Sequence, residues 1–175
     1  MTLKLLWAPL LLGAAVTVTL GVYANLHSPT GIAVNLAGFS GPMPAKAWLA
    51  TACLALVLVQ LVSALVMYGK LGIEAPSWIP ALHRWSGRVA FLVAIPVAVH
   101  CLYALGFSSF DTRTLVHSLL GCLVFGVFTV KMLALPKHGL SGWVLPLLGG
   151  LVFVAFVGLW LTSSLWFFTT FGVKI

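Results

Sequence analysis

Two histidines lie on either side of a short polar turn in an otherwise apolar stretch of this sequence. His100 stands seven residues before the turn begins at Phe107, and His117 stands four residues after Arg113 ends it. The flanking runs are long enough to form antiparallel helices, so we expect both imidazoles one to two turns below the same surface. Two imidazoles at equal depth on different helices can supply both axial nitrogens of a haem iron.

The residues around these histidines fit the same chemistry. Gly121 lies at i+4 from His117, where a missing side chain lets a flat macrocycle approach the backbone. Arg113 lies at i−4, nearer to water, where a guanidinium can pair with a haem propionate. Tyr103, at i+3 from His100, can hydrogen-bond in the same region. We interpret His100 and His117 as the two ligands of one haem near the outer membrane face.

Other interpretations stay open. Histidines within a membrane span can hydrogen-bond to neighbouring hydroxyls and only lock the helix packing, or they can form part of a proton or ion pathway. A zinc site is disfavoured because no third and fourth ligand lies at the right depth. If the helices that carry His100 and His117 pack too closely to hold a haem, His27 or a residue of the fifth span becomes the alternative partner.

His83 is a further candidate at the start of the third apolar run. Gly87 follows it at i+4, which repeats the spacing of the histidine–glycine pair described above. A second haem at this end would need His138 as its partner. His83 and His100 are 17 residues apart, however, which puts them about 100° off a common helix face. We therefore expect His83 to cap the inner surface or to handle protons near a quinone, and we keep it as a third ligand candidate.

The chain that positions these residues has the composition of a membrane protein. Of 175 residues, 62% are hydrophobic and 6% are charged, whereas soluble domains carry about 25% charged residues. A core surrounded by water could not bury this much apolar surface, so we expect the chain to fold in a lipid bilayer. The formal charge of +7 comes from scattered basic residues at the ends of apolar runs, which suits anionic lipid and predicts no nucleic-acid partner.

Five apolar runs are long enough to cross a bilayer, since about 20 helical residues span its hydrocarbon core. Their continuous apolar character excludes a closed barrel and predicts an all-α bundle that forms a single transmembrane domain over residues 1–175. Six of the nine basic residues fall on the side of the N-terminus, which predicts an N-terminus inside and a C-terminus outside the bacterial inner membrane. The runs cover about 5–24, 47–68, 82–107, 114–135 and 143–165.

The remaining polar and sulfur-containing residues of the spans give weaker signals. Gln60, Ser63 and Lys131 are polar residues within the spans, and we expect them to serve packing or snorkelling rather than to contact a quinone. The three cysteines form no CxxC pair and no metal-like spacing, which favours small buried apolar side chains.

The third and fourth runs resemble the cytochrome b561 and ferric-reductase-like membrane cytochromes. The motif HRWSGRVAFLVAIPVAVH, residues 83–100, is similar to their His-Arg-x-x-Gly-Arg opening with a second histidine, and HSLLGC, residues 117–122, continues the likeness. The resemblance covers roughly residues 80–135. More closely, these runs look like an uncharacterised actinobacterial family of small five-helix membrane proteins. Members of that family tend to be encoded beside Rieske-type iron–sulfur proteins.

The resemblance implies haem b and one-electron transfer, with His100 and His117 as ligand candidates and His83 as a possible third. The spacing of His83 and His100 is longer than in the usual two-haem stack, so one haem is expected and a second is an alternative. We expect a membrane-bound b-type cytochrome that carries electrons between the quinone pool and an outer acceptor, or within a respiratory complex. The chain has no flavin or nicotinamide motif, which indicates an electron-transfer subunit rather than a complete enzyme.

A redox partner is therefore expected, such as a Rieske-type iron–sulfur protein or a cytochrome c. Two functions of other classes stay open. The first is a haem-free accessory or assembly subunit of a respiratory complex, and the second is a small proton-coupled transporter.

Overall fold

The computed structural model describes residues 2–33 and 35–175, and the regular structure in these ranges is helical throughout, without strands. Five helical spans are long and apolar enough to cross a membrane, which confirms the predicted all-α class and the number of candidate spans and suggests a multi-pass membrane protein. Two of the spans change from α-helix to π-helix near one end, at His100–Leu105 and Leu161–Leu165. The α-helices are α1 Thr2–Leu26, α2 Pro42–Met67, α3 Ile79–Val99, α4 Thr112–Ala134, α5 Val144–Trp160 and α6 Trp166–Phe171.

The helices form two compact units. The first unit, Met1–Ile32 with Cys101–Thr162, contains α1, α4 and α5, and within it α4 packs against both α1 and α5. The second unit, Ala33–His100 with Ser163–Ile175, contains α2, α3 and α6, and within it α2 packs against both α3 and α6. The single transmembrane domain expected from the sequence stays a prediction.

In the first unit, two glycines let α1 and α4 approach each other closely. A Cβ atom added to Gly126 would lie 2.5 Å from the Gly13 carbonyl oxygen, and one added to Gly13 would lie 2.6 Å from the Gly126 carbonyl oxygen. Thr17 Oγ1 also lies against the Gly126 position and donates a 3.1 Å hydrogen bond to Gly13 O. Small residues at membrane helix interfaces allow this kind of backbone contact, which gains van der Waals packing where lipid offers no hydrophobic driving force.

The turn between the first π-helix and α4 begins at a glycine with a left-handed backbone. Gly106 has φ +71°, a conformation that costs glycine little because it has no Cβ. A Cβ there would also lie 3.1 Å from the Ala24 carbonyl oxygen. The next residue, Phe107, donates its N–H to that same Ala24 O at 2.8 Å, so the turn is fixed to the end of α1.

Asp111 starts α4 with a capping box. Its carboxylate accepts the Thr114 N–H at 2.7 Å, while the Asp111 N–H donates to Thr114 Oγ1 at 3.3 Å. The hydrogen bond from the Thr114 backbone is the largest cause that lowers the pKa of Asp111 below its ordinary value. The carboxylate is therefore charged at neutral pH, as the positive end of the helix dipole favours.

In the second unit, the last segment of the chain covers the first turns of α2. Ser164 Oγ donates to Ala47 O at 2.9 Å, and Trp48 Nε1 donates to Lys174 O at 2.9 Å. The Trp48 ring also lies against Phe168, with centroids 5.3 Å apart. These contacts bury the start of α2, where Ala45 and Ala47 are each only 2% exposed.

Candidate functional site

His117 points from the second turn of α4 towards the end of α5. Its Nδ1 atom lies 3.0 Å from Thr162 Oγ1, the second residue of the π-helix that follows α5. Its Nε2 atom lies 3.9 Å from the Cys101 thiol of the first π-helix, a longer and weaker contact. Both neighbours belong to the same unit as His117.

The hydrogen bonds of Thr162 favour one tautomer of this imidazole. Thr162 Oγ1 donates to Gly158 O at 2.7 Å, one turn back along its own helix, so its single hydroxyl proton is engaged there. When the hydroxyl proton is used in this bond, the oxygen accepts from His117, whose proton then lies on Nδ1. In the neutral ring, Nε2 is then the nitrogen with the lone pair, as a metal ligand requires.

The Arg113 side chain contacts the main chain of the same threonine. Its Nη1 atom donates to Thr162 O at 2.8 Å, and Nη2 lies 3.9 Å from an Asp111 carboxylate oxygen. The sequence identified Arg113 and His117 as neighbours on one helix face, and the structure adds the residue on which both converge. Thr162 thus links the two predicted side chains to the end of α5.

His83 has an equivalent arrangement in the second unit. Its Nδ1 atom lies 2.8 Å from Ser63 Oγ on α2, and Ser63 Oγ donates to Val59 O at 2.6 Å, one turn back. The same argument favours the His83 tautomer with the proton on Nδ1 and the lone pair on Nε2. Ser63 is only 2% exposed, so this hydroxyl lies inside the α2–α3 interface. Ser63 therefore forms a hydrogen bond with a histidine in addition to packing in the interface.

The glycines at i+4 from the two histidines also face the neighbouring helices. A Cβ on Gly87 would lie 3.1 Å from the Gln60 side-chain oxygen, and one on Gly121 would lie 3.9 Å from Leu159 Cδ2. Gln60 precedes Ser63 by three residues, as Leu159 precedes Thr162 by three. The histidine–glycine pair therefore docks on a neighbouring helix in the same register in both units.

Gln60 completes a polar cluster on the α2–α3 side. Its amide nitrogen donates to the His83 carbonyl oxygen and to Ser86 Oγ, the latter at 2.7 Å. Ser86 Oγ in turn donates to Leu82 O at 2.7 Å. These bonds satisfy the polar groups of the interface, which agrees with the packing role expected for Gln60.

The other predicted residues lie elsewhere. His100 begins the first π-helix and belongs to the second unit, so it is grouped with His83 and not with His117. Tyr103 lies in a ring stack with His27, with centroids 5.1 Å apart, and its carbonyl oxygen accepts from His27 Nε2 at 3.1 Å. His27 stacks in turn on Tyr23 at 5.0 Å. The ligand roles of His100, His117 and His83 stay predictions.

Among residues 2–33 and 35–175, no group of three or more His, Cys, Asp or Glu side chains could hold a metal ion. A haem iron takes only two protein ligands, so this finding does not bear on a haem.

The sequence model of a family of unknown function, DUF6529, matches residues 6–175. The chain belongs to the DUF6529 family. No curated protein and no solved structure matches it.

In this DUF6529 chain, Thr162 is the hydrogen-bond partner of a candidate ligand that the sequence did not single out. The sequence feature that could have pointed to it is the run Thr-Ser-Ser, three hydroxyl residues near the end of the fifth span. Hydroxyls in membrane helices usually bond to a carbonyl of their own helix, so such a run does not by itself indicate a site. The position of His117 opposite Thr162 depends on how α4 and α5 pack, which the spacing along one helix does not contain.

Proposed function

We propose that this chain is a membrane-bound b-type cytochrome in which His100 and His117 ligate one haem b. The observation that carries the proposal is the bond between His117 Nδ1 and Thr162 Oγ1. Metal-bound histidines almost always donate their second ring N–H to an oxygen acceptor, which fixes the ring and raises the basicity of the ligand nitrogen. Thr162 supplies such an acceptor from a neighbouring helix.

The residues around the proposed ligands support the same assignment. His83 makes the same type of bond to Ser63, which supports its place as the third ligand candidate. His100 stands at the first residue of a π-helix, and π-helical segments inside longer helices are frequent at functional sites. When bound, haem supplies a one-electron Fe(III)/Fe(II) couple. Within the first unit, Thr162 would hold the proton of His117 on Nδ1 and leave Nε2 as the donor.

The cellular setting belongs to the same proposal. We place the chain in the bacterial inner membrane with its N-terminus inside and its C-terminus outside, because the basic residues lie mainly in the loops on the N-terminal side. The site near His117 then lies towards the periplasm. The protein would carry electrons between the quinone pool and an outer acceptor such as a Rieske-type protein or a cytochrome c, or within a respiratory complex.

The direct test is a visible spectrum of the full-length protein purified in detergent from cells with sufficient haem. We expect equimolar haem and a dithionite-reduced minus oxidised spectrum typical of low-spin bis-histidine ligation. A colourless preparation that also fails to take up added haem would contradict the proposal. That result would favour an accessory subunit, and pH-dependent uptake into vesicles would favour a transporter.

Thr162→Val tests the observation on which the proposal rests. Valine keeps the shape of threonine but cannot accept the His117 N–H, so we expect the haem affinity to fall about 10–100-fold, the usual effect of losing an outer-shell partner. Haem titration followed by absorbance measures this loss. Thr162→Ser keeps the hydroxyl and should restore most of the affinity.

The matched control for this variant is Thr169→Val. Thr169 Oγ1 also donates to the carbonyl one turn back, Leu165 O at 2.9 Å, but it is exposed on α6. If both valine variants bind haem like the wild type, the Thr162 hydroxyl does not position a haem ligand.

A further inference from the structure

The face of α3 that points away from α2 carries two arginines and a tryptophan. Ser86 and Ala90 are buried in the interface with α2, at 6% and 5% exposed. Arg84 and Arg88 each lie two residues from Ser86, about 200° around the helix, so they occupy the opposite face. Both arginines are exposed, and Trp85 beside them is 61% exposed. We call Arg84, Trp85 and Arg88 the basic face of α3.

The two guanidinium groups of the basic face have no acidic partner in the protein. Within residues 2–33 and 35–175, Arg84 and Arg88 form no ion pair and no side-chain hydrogen bond with another residue. The sequence of the second unit contains one acidic residue, Glu74, which likewise forms no ion pair with a described residue. Each guanidinium has five N–H donors. The acceptors for these donors therefore lie outside the chain.

The basic face lies at the level of a membrane boundary. The span that contains α3, Ile79–Leu105, has 27 residues, which makes it about 40 Å long and about 10 Å longer than the hydrocarbon core. Trp78, Trp85 and Leu92 recur every seven residues, so they lie on one exposed stripe of the helix. Tryptophan favours the interface, and leucine favours the hydrocarbon. The boundary therefore lies between Trp85 and Leu92, near Arg88.

The contact between Arg88 and Trp85 fits this position. The Arg88 guanidinium lies over the Trp85 ring, 4.8 Å from its centroid. Trp85 is three residues nearer to the start of α3, so the contact directs the guanidinium towards the headgroups and away from the hydrocarbon. The Arg84 side chain starts one turn nearer to the same end. Both charges are thus available at headgroup level.

We propose that the basic face of α3 binds the headgroup phosphate of an anionic phospholipid. Charge complementarity favours this occupant, because two guanidinium groups without a carboxylate partner match a phosphate, which they can bind in bidentate fashion. Trp85 adds an apolar surface for the lipid next to the phosphate. The inference requires that the spans lie in a bilayer but does not depend on haem. It narrows the general affinity of a basic chain for anionic lipid to three residues.

The test titrates phosphatidylglycerol into the full-length protein in mild detergent and follows lipid binding by native mass spectrometry. In the double variant Arg84→Gln/Arg88→Gln, we expect the affinity to fall about 25-fold, since each basic residue near anionic lipid contributes about fivefold. Phosphatidylcholine, whose headgroup has no net charge, should bind wild type and variant equally. The double variant Arg84→Lys/Arg88→Lys keeps both charges and should keep most of the affinity.

Two further variants separate the site from the net charge. Lys70→Gln/Lys137→Gln removes the same charge from two loop lysines and should leave the affinity for phosphatidylglycerol nearly unchanged. Trp85→Leu keeps both arginines and an apolar side chain but removes the ring under Arg88. We expect it to lower the affinity about threefold, the usual size of an exposed cation–π contact.

Each of four other results would overturn the proposal. A wild type that binds phosphatidylglycerol and phosphatidylcholine equally does so without any variant. Equal affinity of the wild type and Arg84→Gln/Arg88→Gln for phosphatidylglycerol removes the basic face as the site. An equal loss in the lysine-to-glutamine variant shows an effect of net charge alone. A dimer that dissociates in the arginine-to-glutamine variant, with lipid affinity unchanged, assigns the face to a second copy of the chain. All four leave the proposed cytochrome untouched, because none depends on haem.

Discussion

His117→Ala protein is expected to purify without its haem spectrum. An alanine leaves no nitrogen at the position that Thr162 orients. The haem affinity should therefore fall on the order of a hundredfold or more, beyond the usual effect of losing an outer-shell partner. His100→Ala should have the same effect, because each ligand supplies one of the two axial positions. Reduced-minus-oxidised spectra and haem-to-protein ratios measure both.

His138→Ala is the control for these variants, since His138 is exposed in the loop between α4 and α5 and should leave the spectrum unchanged. Wild-type absorption in either His100→Ala or His117→Ala would remove that residue from the ligand list. If His100→Ala keeps its haem and His83→Ala loses it, the second axial nitrogen comes from His83, whose bond to Ser63 favours the same tautomer.

Gly126→Val is expected to lower the free energy of unfolding by about 3 kcal/mol, at the upper end of the usual effect of overpacking. The first added carbon already lies 2.5 Å from the main-chain oxygen of Gly13, so α1 must move away from α4. Thermal or denaturant unfolding in detergent measures the change.

Two further variants isolate the cause of this loss. Gly150→Val places the same side chain on α5, where a Cβ would meet no atom within 4 Å, and should be nearly neutral. Thr17→Ala removes one of the contacts at Gly126 but leaves the Gly13 carbonyl in place, so it should not rescue Gly126→Val. Equal stability of the Gly126→Val and Gly150→Val proteins would show that α1 and α4 do not approach closely.

The number of candidate spans and the all-α class could be predicted, because they follow from the length and continuous apolar character of the five runs. Their ends could not be predicted as closely. The second run was expected to begin near residue 47, but α2 begins at Pro42, since the prolines and Lys46 dilute the apolar signal there. Proline is well suited to a first helical turn, where its missing N–H would have no partner. The fifth span continues through α6 to Phe171, where Gly172 with φ +79° ends it.

For the candidate site, the sequence could predict which residues share one face of α4, but not which residues of other helices they contact. The i±4 spacing correctly identified Arg113, His117 and Gly121 as neighbours, because that relation depends only on helix geometry. Thr162 and Ser63 became partners of the two histidines through the register of neighbouring helices, which no periodicity within one helix encodes. Ala47 is covered by Ser164, more than a hundred residues away in sequence, and no local pattern encodes that contact.

The two π-helices also indicate where the spans can tolerate the insertion or deletion of a residue. A turn of π-helix contains about one residue more than a turn of α-helix. Deleting a residue from His100–Leu105 or Leu161–Leu165 can therefore return that segment to α-helix with little disturbance of the helix that precedes it. A deletion in the first turn of α4 would instead rotate His117 by about 100° relative to the rest of that helix. Natural insertions and deletions inside the spans should therefore concentrate in these two short segments.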